Sequence, residues 1–161
     1  MSMEPAAVSS TLGELRARLV WWRAGALIAS QQLGRWITET STASLAPVYA
    51  AWSQHQSRIV AMVEDRYPVI PHVAEIDLEV ETDAARRDLT GFADRLGTAH
   101  DDEARLTAVI EAVLEPMIAA ARDWSTVTPA AVDAPTRRLI VTLIAGLERD
   151  RAEAEALIAG L

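Results

Sequence analysis

Apolar residues recur through most of the chain at alternating steps of three and four, which is the spacing of helices that bury one face. The first stretch follows Thr11 and Glu14, a capping-box pair in which each side chain bonds a free backbone N–H at a helix start. We therefore predict a long first helix that begins at Thr11. Its inward positions are Leu12, Leu15, Leu19, Trp22, Ala26, Ala29, Leu33 and Trp36.

A second helix is predicted over residues 44–66, with Pro47 in its first turn, where a missing N–H costs little. The YPVIP segment at 67–71 ends this helix, because its two prolines cannot continue the hydrogen-bond pattern. Residues 72–100 form a crossover, in which residues 83–96 predict one short amphipathic helix. The inward face of the second helix is Leu45, Val48, Trp52, His55, Ile59 and Met62.

The third long helix is predicted to start at Asp101 or Asp102, since acids suit the positive end of a helix dipole. Pro116 predicts a kink, because the apolar pattern continues beyond it in register. After a loop at 125–135, Asp133 caps a last helix that runs to about Ile158. The inward positions are Leu106, Ile110, Val113, Met117, Ala120 and Trp124, followed by Leu139 or Ile140, Leu143, Leu147 and Asp150.

Two helix pairs and one long connection predict an all-α, up-down four-helix bundle. The 161 residues suit a single domain, and we expect residues 1–10 to be a flexible N-terminal segment. No apolar run of about 18 residues indicates a membrane span. The N-terminus lacks a basic region followed by an apolar one, so we expect a cytoplasmic protein.

The composition excludes several kinds of chemistry. The net charge of −8 argues against a nucleic-acid partner, because phosphate binding needs a basic surface. The chain has no Cys, which excludes a thiolate nucleophile or metal ligand, and no Lys, which excludes Schiff-base catalysis. The Arg-only, Ala-rich composition is typical of a GC-rich bacterial genome.

The segment DAPTRRLIVTLIAGLERD at 133–150 resembles the start of the final helix of the ferritin-like superfamily. There, an Asp-x-Pro-Thr start is followed by Arg, Leu and a Glu-x-x-His metal pair, whose two positions fall here on Leu147 and Asp150. WSQH at 52–55 keeps the spacing of the other such pair, with Trp52 in place of the Glu. The matching residues are Asp133, Pro135, Thr136, Arg138, Leu139 and Leu143.

The resemblance implies a ferritin-like fold, but the metal ligands of that family are missing. A di-iron site takes a Glu from each of two helices and a Glu-x-x-His from each of the other two. One His and one Asp cannot hold two hard cations. We therefore expect neither a metal nor a cofactor. The corresponding positions hold Ala26, Ala29 or Gln32 in the first helix, and Ile110 and Val113, with Glu111 beside them, in the third.

Tryptophan is abundant, with five residues against one Phe and two Tyr. These side chains either fill the core or form the walls of a central ligand cavity. The first helix is built of small residues between Trp22 and Leu33, and Gly25 there costs about 1 kcal/mol relative to alanine. Either another helix packs closely against it or a ligand needs the space. The candidate ligand-binding residues are Trp22, Trp36, Trp52, Trp124, Gln32, Tyr49 and Tyr67.

His55 is the main candidate for catalysis. It is either a core histidine bonded to a backbone carbonyl or water, or a general acid or base near neutral pH. Asp150 is the expected partner, because the two inward pairs of the family face each other across the bundle. Glu111 and Glu148 are alternatives, although each also suits a solvated helix face.

Two other histidines stand outside this site. His72 could line the mouth of a pocket, and His100 precedes a helix start where exposure is expected. Trp21 lies next to the inward face of its helix, where an exposed aromatic would suit a homodimer contact.

Three functions are compatible with these features. The favoured hypothesis is a cofactor-free enzyme of bacterial, secondary-metabolite biosynthesis. It would bind an apolar small molecule in a Trp-lined cavity and catalyse a cyclisation, isomerisation or dehydration by acid–base chemistry. The alternative is a non-catalytic small-molecule carrier or accessory subunit. A di-iron oxidase is disfavoured by the missing ligands.

Overall fold

The computed structural model describes residues 11–67, 78–128 and 133–161, and these ranges contain helices and no strand. The all-α bundle is therefore confirmed. Residues 1–10, the prolines at 68 and 71, His72 and part of the 125–135 loop lie outside the described residues. The helices are α1 (Leu12–Glu39), α2 (Leu45–Arg66), α3 (Leu78–Asp88), α4 (Thr90–Gly97), α5 (Asp102–Ala108), α6 (Glu115–Val127) and α7 (Ala134–Ile158), with a π segment (Val109–Leu114) between α5 and α6.

Three helix starts are capped as the sequence predicts. The hydroxyl of Thr11 accepts a bond from the Glu14 N–H at 3.2 Å, and the Glu14 carboxylate accepts one from the Thr11 N–H at 2.6 Å. Asp101 accepts from the Ala104 N–H at 2.7 Å, and Asp133 accepts from the Thr136 N–H at 3.1 Å. These side chains satisfy N–H groups that the helix itself leaves without partners.

The long helices pack as antiparallel neighbours. On α1 and α2, Arg23 bonds Glu64 while Ser30 bonds Ser53, so the two chains run in opposite directions. Helix α7 packs against α2 on one side and against α5, the π segment and α6 on the other, and α3 lies on α1. An ion pair of 3.0 Å between Arg18 and Asp123 joins α1 to α6.

The Asp-x-Pro-Thr motif has a structural role at the start of α7. Arg66, at the end of α2, donates to both carboxylate oxygens of Asp133 at 2.9 Å and to the hydroxyl of Thr136 at 2.7 Å. That hydroxyl in turn donates to Asp133 at 2.5 Å. The motif therefore both caps α7 and ties it to α2.

The crossover differs from the prediction of one short helix at 83–96. Helix α3 starts earlier, at Leu78, and the chain breaks at Leu89 before α4 begins. Leu89 leaves the helical conformation with φ −96° and ψ 19°. Thr90 and Gly91 follow directly, and both have low helix propensity, which explains the break.

The helix is disturbed next to Pro116 by the π segment Val109–Leu114. Pro116 has no N–H to donate to the preceding turn, and the Glu115 N–H bonds the carbonyl of Ile110, five residues back. Val113, Met117 and Trp124 are buried as predicted, whereas Ile110 and Ala120 are half-buried and their neighbours Val109 and Ala121 are buried.

On α2, every second position predicted to face inward is replaced in the core by the residue that follows it. Val48, His55 and Met62 are half-buried, and their neighbours Tyr49, Gln56 and Val63 lie in the core. Both sets alternate steps of three and four residues, so the spacing alone could not distinguish them. The buried residues of α2 are Leu45, Tyr49, Trp52, Gln56, Ile59, Val60 and Val63.

A buried carboxylate, that of Asp102, is hydrogen-bonded at the end of the bundle where α1 connects to α2. Asp102 accepts bonds from the hydroxyl of Thr40 at 2.8 Å, the hydroxyl of Ser41 at 3.1 Å and the backbone N–H of Thr42 at 3.1 Å. Arg105 bonds the carbonyl of Glu39 at 3.0 Å. Asp102 thus ties the α1–α2 connection to the start of α5.

Three carboxyl groups make the free energy of unfolding of the bundle depend on pH in the acid range. Burial by itself raises the pKa of Asp102, Glu81 and Asp133, but hydrogen bonds outweigh it and hold each pKa below the usual value. The donors are Thr42, Thr40 and Ser41 for Asp102, Arg16 and Tyr67 for Glu81, and Thr136 and Arg66 for Asp133.

We expect the free energy of unfolding to be pH-independent through these groups above about pH 5 and to fall as the pH drops from about 4 towards 2. The unfolded chain binds protons at the higher pKa, so acid favours unfolding. Urea titrations at pH 6, 4 and 3 would measure the effect. In Asp102→Asn the slope should be smaller, and an unchanged slope would contradict the contribution of Asp102.

Candidate functional site

His55 and Asp150 form a pair between α2 and α7. The Asp150 side chain is 3% exposed, and its Oδ2 lies against Nδ1 of His55, whose side chain is 15% exposed. The other carboxylate oxygen accepts a bond from Arg149 Nη2 at 3.2 Å. Such a pair holds the imidazole in one orientation, with Nε2 on the far side of the ring.

Gly146 lies directly under that far side of the ring. A Cβ at this position would be 2.7 Å from both Cε1 and Nε2 of His55, which is closer than side chains approach one another. The helix can therefore accommodate the ring only because residue 146 has no side chain. Within the described residues, Nε2 has no hydrogen-bond partner.

A second contact lies one turn away in the same helix pair. The indole N–H of Trp52 donates to the carboxylate of Glu153 at 2.8 Å. Trp52 and His55 thus face Glu153 and Asp150 in antiparallel order. The Trp52 ring is buried, while its N–H reaches the helix surface.

The two alternative acids lie elsewhere. Glu148 is exposed and pairs with Arg122 at 2.6 Å. Glu111 is exposed on the π segment and lines a cleft of about 480 Å³ together with Arg95, Thr98 and Thr107. Neither carboxylate bonds His55, so among the described residues Asp150 alone hydrogen-bonds this imidazole.

The four inward tryptophans are core residues. Trp22, Trp36 and Trp124 are 1% exposed and Trp52 is 3% exposed. The rings of Trp36 and Trp52 contact Tyr49 edge to face, with centroids 5.6 and 6.2 Å away. This geometry favours the role of core packing for these aromatic side chains.

The small residues of α1 serve more than one purpose. Ser30 bonds the hydroxyl and the carbonyl of Ser53, which shows a close approach of α1 to α2. Gly25 faces Leu89 of the crossover. Ala26 and Ala29, by contrast, lie in the fully buried core. Close packing therefore explains part of the stretch.

The remaining predicted ligand-binding residues are dispersed. Tyr67 lies at the end of α2, where its hydroxyl donates to Glu81 at 2.8 Å and Arg16 stacks over its ring. Gln32 is half-buried on α1. Tyr49 lies in the core, and burial, followed by the charge of Asp102, raises its pKa to about 12.

The hydroxyl of Tyr49 is buried without a partner among the described residues. We expect Tyr49→Phe to raise the free energy of unfolding by about 1 kcal/mol, because it removes a desolvated hydroxyl and keeps the ring. Chemical denaturation compared with the wild type would measure this change. A loss of about 1 kcal/mol or more would instead indicate a hidden partner for the hydroxyl.

The contacts of Gly146, Arg149 and Glu153 with the site were not predicted, and neither was the burial of Gln56. Gly146 and Arg149 belong to the matched segment of the last helix, but nothing in their spacing indicates a contact with His55 or Asp150. Gln56 was missed because His55 was placed on the inward face. A glutamine seven residues after Tyr49 and four after Trp52 was the available signal for a polar group in the core.

Two structural criteria bear on metals and membranes. Within residues 11–67, 78–128 and 133–161, no three His, Cys, Asp or Glu residues are grouped as a metal site would require. In the same ranges no helix has the length and apolar character needed to cross a membrane.

Comparison with known proteins finds no matching family model, curated protein or solved structure.

Proposed function

We propose that this bundle is a cofactor-free enzyme in which His55 transfers protons to or from an apolar small molecule. The observation that carries the proposal is the buried carboxylate of Asp150 on Nδ1 of His55. A carboxylate there favours the tautomer with the proton on Nδ1 and the free electron pair on Nε2. The electron pair on Nε2 is the feature that a general base requires.

The direction of the chemistry follows from this arrangement. Nε2 takes a proton from a carbon or hydroxyl group of the substrate, and the Asp150 carboxylate stabilises the imidazolium that forms. The proton then returns to another atom of the same molecule. Isomerisation, cyclisation and dehydration are reactions of this class and need no oxidant.

A ferritin-like origin is part of the proposal. Asp133, Pro135 and Thr136 match the start of the final helix in that family, and Asp150 occupies its metal-ligand position. Trp52 replaces a ligand of the opposite helix and bonds Glu153. On this view the loss of metal ligands left one histidine and one carboxylate facing each other.

The test uses 5-nitrobenzisoxazole, an apolar substrate that opens when a base removes its C–H proton and the N–O bond breaks. We expect the wild type to accelerate ring opening roughly 100-fold over His55→Ala. His100→Ala, at an exposed histidine, is the matched control and should retain the wild-type rate. A His55→Ala rate equal to that of the wild type would remove His55 from the mechanism.

The alternative is a non-catalytic carrier or accessory subunit. It is favoured by the cleft of about 240 Å³ between α1 and α6, which Trp21 lines together with Arg18 and Asp123. Quenching of tryptophan fluorescence by apolar ligands that Trp21→Ala abolishes, without any His55-dependent turnover, would support this function instead.

A further inference from the structure

Helix α7 carries apolar residues on the side that points away from the core as well as on the side that points into it. The core side includes Leu139, Leu143 and Leu147. On the opposite side, exposed positions follow one another at alternating steps of three and four from the second turn of the helix to the last. These positions, which form the outer face of α7, are Arg138, Val141, Ala145, Glu148, Ala152 and Glu155.

The outer face is less polar than the solvent-facing side of a helix normally is. Val141 is 59% exposed and lines a surface cleft of about 400 Å³ together with Thr142. Ala145 and Ala152 continue the apolar row towards the end of the helix, and both are exposed. The side of a surface helix away from the core ordinarily carries charged and polar residues. With short side chains along its middle, this face lets a second helix approach closely.

The charges of the outer face differ between its two ends. Arg138 lies near the start, and its side chain has no hydrogen bond or ion pair among the described residues. Glu155 lies near the other end, where only one of its carboxylate oxygens bonds Arg151. Between them, Glu148 is already paired with Arg122 at 2.6 Å. A helix that runs antiparallel along this face, with its own charges in the same order, would therefore bring unlike charges together at both ends.

We propose that the outer face of α7 is the contact surface of a homodimer, in which the same helix of a second copy packs antiparallel against it. Such an interface has two-fold symmetry, so each contact occurs twice. Facing residues of an antiparallel pair have numbers with a constant sum. The register that places Arg138 opposite Glu155 of the second copy also places Val141 opposite Ala152. A parallel arrangement would instead bring each charge next to its own copy.

The size of this surface sets the strength expected of the dimer. The 25 residues of α7 make a helix about 37 Å long, and a strip about 10 Å wide would cover roughly 400 Å² per subunit. The total of roughly 800 Å² is less than the roughly 1,200 Å² at which stable interfaces begin. We therefore expect a reversible dimer with a dissociation constant of roughly 10–500 µM.

Sedimentation equilibrium of the full chain over this concentration range measures the dissociation constant. We expect Val141→Asp to raise it at least tenfold, because the new carboxylate would be buried near Glu155 of the second copy. Val80→Asp is the matched control, since Val80 on α3 is 62% exposed and the change adds the same charge. Its dissociation constant should equal that of the wild type. Both variants should keep the urea midpoint of the wild type, because both sites are exposed.

An exchange of charges tests the antiparallel direction. Arg138→Glu and Glu155→Arg should each weaken the dimer several-fold, because each change places like charges opposite one another. The double variant with both changes in one chain should dimerise as the wild type does, since the pair forms again with its polarity reversed.

Three results would each overturn the proposed interface. They are a chain that remains monomeric at every concentration, a dimer that Val141→Asp leaves unchanged, and a double variant that dimerises no better than the single ones. A dimer that Val141→Asp leaves unchanged would use another face, such as that of Trp21. The interface does not depend on the chemistry of His55, so the ring-opening rate per chain should be the same in Val141→Asp and in the wild type.

Discussion

Replacing Gly146 with alanine is expected to destabilise the bundle by about 1–3 kcal/mol and to abolish any activity that depends on His55. In most helices this change would stabilise by up to about 1 kcal/mol, because alanine is the better helix former. Here the new Cβ would lie 2.7 Å from Cε1 and Nε2 of the His55 ring. Either His55 leaves Asp150 or α2 moves away from α7.

Chemical denaturation and the ring-opening assay would measure both effects. Gly91→Ala is the matched control, since a Cβ at Gly91 meets nothing within 4 Å, and it should be neutral or slightly stabilising. The double variant Gly146→Ala with His55→Ala should recover most of the lost stability, because the clashing ring is gone. If the stability changes of the two substitutions were simply additive, the contact between the ring and residue 146 would not be the cause of the lost stability.

Replacing Asp102 with alanine is expected to cost about 3–5 kcal/mol of stability. The change removes the acceptor of the Thr40 and Ser41 hydroxyls and of the Thr42 N–H. These donors belong to the connection between α1 and α2, which Asp102 ties to the start of α5. Arg105 also loses its carboxylate contact at 3.4 Å, although Glu39 still bonds it. The loss would be visible as a lower midpoint in urea.

Two variants show whether the acceptor itself is responsible. Asp102→Asn keeps the shape and one oxygen, so it should lose roughly half as much stability as Asp102→Ala. Asp94→Ala changes an exposed aspartate in α4 and should remain within about 0.5 kcal/mol of the wild type. Equal effects of Asp102→Ala and Asp94→Ala would show that the hydrogen-bonded cluster contributes nothing.

Helix positions could be predicted well wherever local chemistry determines them. Thr11, Asp101 and Asp133 cap their helices by side-chain bonds to residues three positions along, and such contacts are readable from spacing. The break at Leu89 was missed because the amphipathic pattern of 83–96 continues through Thr90 and Gly91. Periodicity records which face is apolar and is insensitive to one weak turn.

The site could be predicted only in part. The pairing of His55 with Asp150 followed from the resemblance of the last helix, and the structure brings these two side chains into contact. The placement of His55 on the inward face was wrong, since it is half-buried and Gln56 lies in the core. Adjacent positions differ by about 100° around a helix, so a partner helix decides which one is covered.

The sequence by itself determined the helical class, the caps and the absence of cysteine and lysine chemistry, because each depends on residue type or on neighbours within one turn. Only the tertiary structure decided that the His55 ring packs against Gly146, that buried Asp102 bonds the α1–α2 connection, and that Gln56 lies in the core. These contacts join residues 60 or more positions apart or depend on which helices meet. WSQH has the spacing of a Glu-x-x-His pair with Trp52 in the first position, and the packing of α2 against α7 makes its histidine half of a histidine–aspartate pair.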